Sequence, residues 1–570
     1  MLELKFLDLA AWNVNPLSIT GAHALVETLI LNGIERAFCV PGESYIAVLD
    51  ELRSAHDAIE LVVCRHEGGA AFMAEAHGRM TGRPGVCLVT RGPGATNAAI
   101  GVFSAAQEGI PMLLIVGQVA QQHIGRGAFQ ELDVATFFGG VAKRVIEINH
   151  PARVPELIGR AIDVAISGRP GPVVVSFPED LQHQVITSFA APPIQPAFAA
   201  PRASDMELMV QLIQNAARPM LVLGGSGWSP EATVAASAFA ETFRMPVTTT
   251  FRKQDLIDSN NPRYIGSLGP GADPELVSSL QTADLLLLAG ATLGEVETAG
   301  FTRLSVPNPA QQIIQVGPEP SALQQAYRAV LAIVSDTVSF FNAANALPAL
   351  AEAPWAAETV NQRERYLAFR APRKVNTEIN MGAFWSGLAD QLPPNALITM
   401  GAGNYTHWIL RHFHFHRFGT LLAPICAPMG YAVPAAVAAS RQFPDRLVVS
   451  CSGDGCFLMN GQELATAAHY NANILFLVIN NGLYGSVRMH QELRYPGQPY
   501  ATDLTNPDFA ALAASYGLPS ASVTTTAELT AALDPMIIST TGPRLIEIRT
   551  DPEEITPAGS INDIRKKPAN

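Results

Sequence analysis

This chain of 570 residues has no basic block: 37 lysines and arginines are outnumbered by 50 aspartates and glutamates, for a formal charge of −13. Holding nucleic acid phosphates needs clustered cations, so a nucleic-acid partner is excluded, and the short run Arg565-Lys566-Lys567 reads as a solvated end. Cysteine is scarce too. The six present (Cys39, Cys64, Cys87, Cys426, Cys451 and Cys456) sit mostly in or beside apolar stretches, with neither CxxC pairs nor an extracellular disulfide framework, which leaves them as small core residues. No apolar run approaches the length of a membrane span. The opening MLELKFLDLAAW interleaves acidic with apolar residues instead of placing a basic region before an uninterrupted apolar stretch, so it does not read as a signal peptide. The expectation is a soluble cytoplasmic protein with no membrane partner.

What is present is material for large buried sheets. Hydrophobic residues make up 48% and charged residues 15% of the chain, a globular composition, and the length exceeds what one core can serve. From Ser18 the pattern predicts an amphipathic helix stopped at Gly33, then strand Ala37 to Val40, a Pro41-Gly42 turn into a helix, strand Glu60 to Cys64, helix Gly68 to Met80, strand Val86 to Thr90, and strand Met112 to Val116. Strands alternating with helices predict a parallel sheet covered on both faces. Proline and alanine cluster from Phe189 to Ser204, a linker composition. A second alternating region follows, with strands Met220 to Leu223, Leu285 to Leu288 and Gln312 to Val316. Its Gly224-Gly225-Ser226-Gly227 turn lacks the GxGxxG spacing of a dinucleotide loop. Residues 346–371 read as another linker. The fold class expected is α/β, three doubly wound parallel-sheet domains over 1–188, 205–345 and 372–570.

The most informative stretch is 447–485. An apolar strand, Leu447 to Cys451, breaks at Gly453-Asp454-Gly455; a helix from Gln462 to His469 follows, then strand Ile474 to Ile479 delivers Asn480 and Asn481. Parallel strands in such a unit leave their carboxyl ends on one sheet edge, so Asp454 and Asn481 face one ligand there. One carboxylate, one amide oxygen and a turn carbonyl suit a hard cation such as magnesium, which completes its oxygen shell with a ligand's phosphates.

The pattern GDG, 24 residues, NN resembles the diphosphate-anchoring motif of thiamine diphosphate (ThDP) enzymes. The resemblance implies that Asp454 and Asn481 bind magnesium by side chain and Leu483 by its carbonyl. It also implies that Gly453, Gly455, Cys456, Tyr484 and Gly485, with Asn404, Tyr405 and Ala427, line the cofactor, and that Met429 props it into a bent shape. The segment RHEGGAAFMAEAHGRMTGRPGVCLVTRGPGATN, Arg65 to Asn97, resembles the pyrimidine-binding domain, most closely that of acetohydroxyacid synthases, and places Glu67 on the aminopyrimidine. A carboxyl group there shares a proton with the ring and favours the imino tautomer that acts as base. An apolar setting that raises the Glu67 pKa would favour that sharing. GQVAQQHIGRGAFQELD resembles the strand and loop over the thiazolium, with Gln118, Phe129 and Gln130 near the reacting centre; His123 matches no family histidine.

The resemblance runs from about Ser18 to Thr550 and implies a pyrimidine-binding, a middle and a diphosphate-binding domain. Its departures concern the reaction. His490 stands where acetohydroxyacid synthases carry a tryptophan that selects the second oxo acid. In PGES, Glu43 follows Gly42 where the synthases have glycine and pyruvate decarboxylase-like enzymes have a proton-moving aspartate. In the middle domain GSLGPGADP and AGATLGEVETAG replace the family's flavin-contacting stretches, so FAD is not expected. The implied activity is magnesium- and ThDP-dependent decarboxylation of a 2-oxo acid with ligation to a second carbonyl. The alternatives are a simple decarboxylase or lyase releasing an aldehyde, and a non-catalytic ThDP-binding protein. The implied assembly is a homodimer or homotetramer with the cofactor between subunits.

Overall fold

A computed structural model of the chain describes residues 17–188, 192–538 and 541–566. The N-terminal stretch through Trp12, the first residues of the linker expected from Phe189, and Lys567 lie outside the described residues. The chain forms two compact units. One takes in the chain up to Ala106, Ile110–Ser167 and Gly171–Pro196; the other takes in Gln107–Gly109, Gly168–Pro170 and the chain from Ala197 on.

The first unit is built on six parallel strands: β1 (Arg36–Cys39), β2 (Glu60–Val63), β3 (Gly85–Val89), β4 (Met112–Gln118), β5 (Arg144–Glu147) and β6 (Pro172–Pro178), in the order β2-β1-β3-β4-β6-β5. β3, β4 and β6 are buried along their whole length, as runs of valine, isoleucine and leucine must be when helices cover both faces. A two-stranded antiparallel ribbon, Leu17–Thr20 with Val185–Ser188, stands ahead of the first helix. That helix, Gly21–Leu31, starts where the Thr20 hydroxyl accepts the His23 N–H at 3.1 Å, and the chain turns away at Gly33 with φ 71°.

The second unit holds two such sheets. β7 (Pro219–Leu223), β8 (Val247–Thr249), β9 (Tyr264–Ser267), β10 (Leu285–Ala289), β11 (Gln312–Gly317) and β12 (Leu331–Val334) run in the order β9-β8-β7-β10-β11-β12, reversing direction between β7 and β10, where ligand crevices open in doubly wound sheets. β13 (Leu397–Met400), β14 (Leu421–Leu422), β15 (Val448–Gly453), β16 (Ile474–Asn480), β17 (Ser520–Val523) and β18 (Arg544–Arg549) run β14-β13-β15-β16-β18-β17, the same order as the first unit's sheet. All neighbours in the three sheets are parallel. The expected three-sheet α/β architecture is therefore present, and the expected strands fall within a residue or two of the observed ones.

Two readings need correction. Residues 346–371 are not a plain linker: Ala356–Arg370 is a helix, because alanine, glutamate, glutamine and arginine are good helix formers whatever their resemblance to linker composition. It is anchored by buried Trp355 and by Arg363, which donates to the carbonyls of Tyr264 (2.8 Å) and Ser259 (2.7 Å). The expected helix Gln462 to His469 is a 3₁₀ turn, Gly461–Glu463, followed by a short α-helix, Leu464–His469.

Candidate active site

In the second unit, β15 and β16 are adjacent and in register from Val448↔Ile474 to Gly453↔Ile479. Their carboxyl ends therefore present Asp454 and Asn481 side by side, and both line one cavity of about 170 Å³. Asp454 is 2% exposed. One of its oxygens accepts the Gly455 N–H at 2.9 Å; the other accepts the Gly482 N–H at 2.8 Å and Asn506 Nδ2 at 2.7 Å. Burial pushes its carboxyl above the ordinary aspartate range in spite of these donors. Asn481 Oδ1 accepts the Leu483 N–H at 3.1 Å, and the Leu483 carbonyl accepts the Gly485 N–H at 2.9 Å. A side-chain atom added at Gly455 would come within 2.6 Å of the Tyr484 ring, so glycine is required for that close approach.

The other expected residues take mixed places. Met429, half-buried, and the backbone of Gly453 line the same cavity. Cys456 lines it too and accepts the Gly430 N–H at 3.3 Å through Sγ. Ala427 adopts φ 47° as its N–H turns back to the Pro424 carbonyl at 3.0 Å. Asn404 and Tyr405 also line the cavity, but their polar atoms face protein. Asn404 Nδ2 donates to the carbonyls of Ile555 (3.1 Å) and Gly485 (3.3 Å) while its Oδ1 accepts from Ser486. The Tyr405 hydroxyl accepts the Gly401 N–H at 2.9 Å, and burial raises its pKa well above the phenol range. His490 lies elsewhere, in a second cavity.

In the first unit the candidates gather at the carboxyl ends of β1 to β4. His66 caps the Glu67–Thr81 helix, its Nδ1 accepting the Gly68 N–H at 3.0 Å, and this makes Glu67 the first helical residue. Glu67 is half-buried, and its carboxylate accepts Asn97 Nδ2 at 3.0 Å. Within this unit the neighbour is polar, where an apolar setting was expected. Gly42 packs against Thr90, and Glu43 opens a 3₁₀ turn, exposed. Gln118 is buried with both ends of its amide engaged: Nε2 donates to the Leu132 carbonyl at 2.7 Å and Oε1 accepts the Val119 N–H at 2.9 Å. Gln130 sits at φ 60°, its carbonyl accepting the Gly92 N–H at 2.9 Å, and the neighbouring Phe129 is 78% exposed.

Asn97 and Asn506 were missed by sequence reasoning. Asn506 lies 52 residues from Asp454 in an irregular loop that carries no period or motif. Its Nδ2 also donates to Asn480 at 2.9 Å, and its Oδ1 is buried without a partner among the described residues.

Comparison with known proteins gives this geometry its context. Family models of thiamine pyrophosphate enzymes match the chain in order: the N-terminal TPP binding domain at residues 19–137, the central domain at 206–344, and the C-terminal TPP binding domain at 401–548. The acetolactate synthase isozyme 2 large subunit of Escherichia coli (strain K12) is 31% identical, over 95% of this chain and 98% of that protein. The chain belongs to the thiamine pyrophosphate enzymes, in their acetolactate synthase-like group. The isozyme 1 large subunit of the same organism is 32% identical (95% and 97% covered), and the acetolactate synthase large subunit of Corynebacterium glutamicum is 32% identical (91% and 84% covered).

A ThDP-dependent enzyme needs a place for a diphosphate and its cation, and the donors present are suited to one. Asp454 is a buried carboxylate to which no cationic side chain bonds among the described residues, and Asn481 lines the same cavity. Among the described residues no three His, Cys, Asp or Glu side chains group to hold a metal, so any cation here would take oxygens from amides, carbonyls and the ligand, as magnesium does.

Proposed function

We propose that this enzyme decarboxylates a 2-oxo acid and joins the remaining fragment to a second carbonyl, with ThDP and magnesium held in the cavity at Asp454. The observation that carries the proposal is the buried Asp454, with no cationic partner among the described residues, at the shared carboxyl edge of β15 and β16. ThDP, when bound, supplies the electron sink for the carbon that loses carbon dioxide. The chain supplies position and proton control. Asp454, Asn481 and the Leu483 carbonyl would hold the cation, Met429 would support the cofactor's bend, and Glu67 would share a proton with the aminopyrimidine. Asn97, hydrogen-bonded to Glu67, orients that carboxylate. Glu43, exposed on the same edge of the first unit's sheet as Glu67, is placed to move a proton to or from solvent.

The first unit presents an uncovered apolar stripe beside Glu67. On the Gly92–Glu108 helix, Ile100 (42% exposed) and Phe103 (43%) continue the face that carries Asn97, and such a stripe calls for a partner surface. We assign it to a second copy of the chain, in a dimer or tetramer with active sites at the subunit boundary.

The enzyme works without FAD. The cavity at the carboxyl edge of the middle sheet has its cationic walls engaged: Lys253 Nζ pairs with Glu108 at 3.0 Å, both buried, and Arg169 donates to the Gln107 carbonyl at 2.7 Å. A yellow preparation that loses activity as flavin is stripped would refute this. No helix among the described residues is long and apolar enough to cross a membrane; the cytoplasm is the proposed location, checked by cell fractionation. Incubation with ThDP, magnesium and a panel of 2-oxo acids tests the reaction: a hydroxyketone product supports ligation, and aldehyde alone would show a simple decarboxylase.

A further inference from the structure

A second cavity, of about 490 Å³, lies in the same unit as the Asp454 cavity, and Asn404 and Ser486 line both. Its walls are chiefly rings and alkyl chains: Phe251, Tyr264, Tyr366, Phe369, Met489 and Leu493. Most of its polar groups are engaged. Arg411 gives its guanidinium to the Phe369 carbonyl (2.7 and 3.0 Å), and the Asp273 carboxylate caps the Glu275 N–H at 3.0 Å. Gln254 differs. It is 5% exposed, lines the cavity, and its Oε1 has no hydrogen-bond partner among the described residues. That oxygen is closed off from the cavity and offers no bond to a ligand there. Burial, with the charge of Arg252 and the ring of His490 nearby, lowers the pKa of His407 in the same wall to about 4.

We propose that this cavity is the side-chain pocket of the carbonyl substrate and takes an aromatic-sized apolar group. The proposal rests on reading the adjoining cavity as the ThDP site. Its size suits a ring, since pockets of a few hundred Å³ hold ligands larger than the smallest oxo acids, and a lone methyl group would leave its rings uncovered. The group belongs either to the oxo acid that loses carbon dioxide or to the carbonyl that accepts the fragment.

The test compares pyruvate, 3-phenyl-2-oxopropanoate and 3-(4-hydroxyphenyl)-2-oxopropanoate on the full chain with ThDP and magnesium. Carbon dioxide release identifies the donor arm; ligated product from pyruvate with benzaldehyde or 4-hydroxybenzaldehyde identifies the acceptor arm. In one of the two arms, aryl compounds are expected to exceed their small counterparts in kcat/KM by about tenfold or more. Ala272→Phe, at a half-buried position in the cavity wall, should lower the aryl rates by about tenfold or more and leave pyruvate within about twofold. If Ala272→Phe fails to fold, Leu493→Trp, at a 39% exposed wall position, fills the same space. Calorimetric titration of the hydroxyphenyl acid into the protein without ThDP gives a readout that needs no turnover: binding to the parent and its loss in the filled variant support the pocket. Equal binding by parent and filled variant, or turnover confined to pyruvate, overturns the pocket alone. Aryl binding that survives while ThDP neither binds nor supports any turnover overturns the reading of the adjoining site instead.

Discussion

Replacing Asp454 by asparagine separates the cost of a buried charge from its use. The carboxylate accepts from Gly455, Gly482 and Asn506. An asparagine placed with its oxygen toward Gly482 and Asn506 keeps those two donors satisfied and turns its NH₂ toward the Gly455 N–H. The Gly455 N–H and the NH₂ facing it are then both unpaired, a loss of about 1–3 kcal/mol for each donor that stays buried. Against this, the variant no longer buries a charge that desolvation disfavours, as the raised Asp454 pKa records. The two effects oppose, so without cofactor the variant should melt close to the parent. With cofactor they should part. A ligand at about a hundred times its dissociation constant stabilises the folded state by about 2.7 kcal/mol, and the parent should gain this on addition of ThDP and magnesium. The variant lacks the buried carboxylate assigned to the cation and should gain almost none. Differential scanning fluorimetry with and without ThDP and magnesium measures both halves. An equal cofactor-induced shift in parent and variant would refute the assignment of Asp454 to the cation.

Three further outcomes are expected. Glu492, held by Arg565 (2.7 and 2.8 Å), Arg488 and the Gly497 N–H, has its pKa lowered from 4.5 to about 2. Its contribution to stability is therefore present above pH 4.5 and lost as pH falls toward 2, so the denaturation midpoints of Glu492→Gln and parent should converge over that window; a gap that persists at pH 2 would contradict the pairing. Arg252, buried at φ 61°, donates to the carbonyls of Gly401 (2.7 Å) and Pro424 (2.8 Å); Arg252→Met strands both and should destabilise the protein by about 2–5 kcal/mol, measured by urea unfolding, and a change under 1 kcal/mol would show that the contacts contribute little. Phe103→Asp should shift the assembly toward monomer in sedimentation velocity, whereas an unchanged oligomer would place the interface elsewhere.

Much of the fold was legible because its strands are buried on both faces: runs such as Met112–Gln118 and Ile474–Asn480 admit few other readings between turn signals. The Asp454 and Asn481 pairing was legible for the same reason, since each sits at the end of such a strand. The Ala356–Arg370 helix was hidden because its composition suits a surface helix as well as a linker. Asn506 was beyond reach because a loop residue finds its partner only through tertiary packing. Nor could sequence show that Gln118, Asn404 and Tyr405 would turn their polar atoms toward protein, or that His490 would line a separate cavity.

The central claim is that a cofactor held at Asp454 is activated through Glu67. Hydrogen–deuterium exchange at C2 of bound ThDP measures that activation without knowledge of the substrate. Glu67→Gln preserves size and the contact with Asn97 but cannot share a proton with the aminopyrimidine in the same way. The account predicts retained ThDP binding with exchange slowed by about a hundred- to ten-thousandfold, the usual loss for a positioned proton-transfer group. Exchange as fast as in the parent would contradict it.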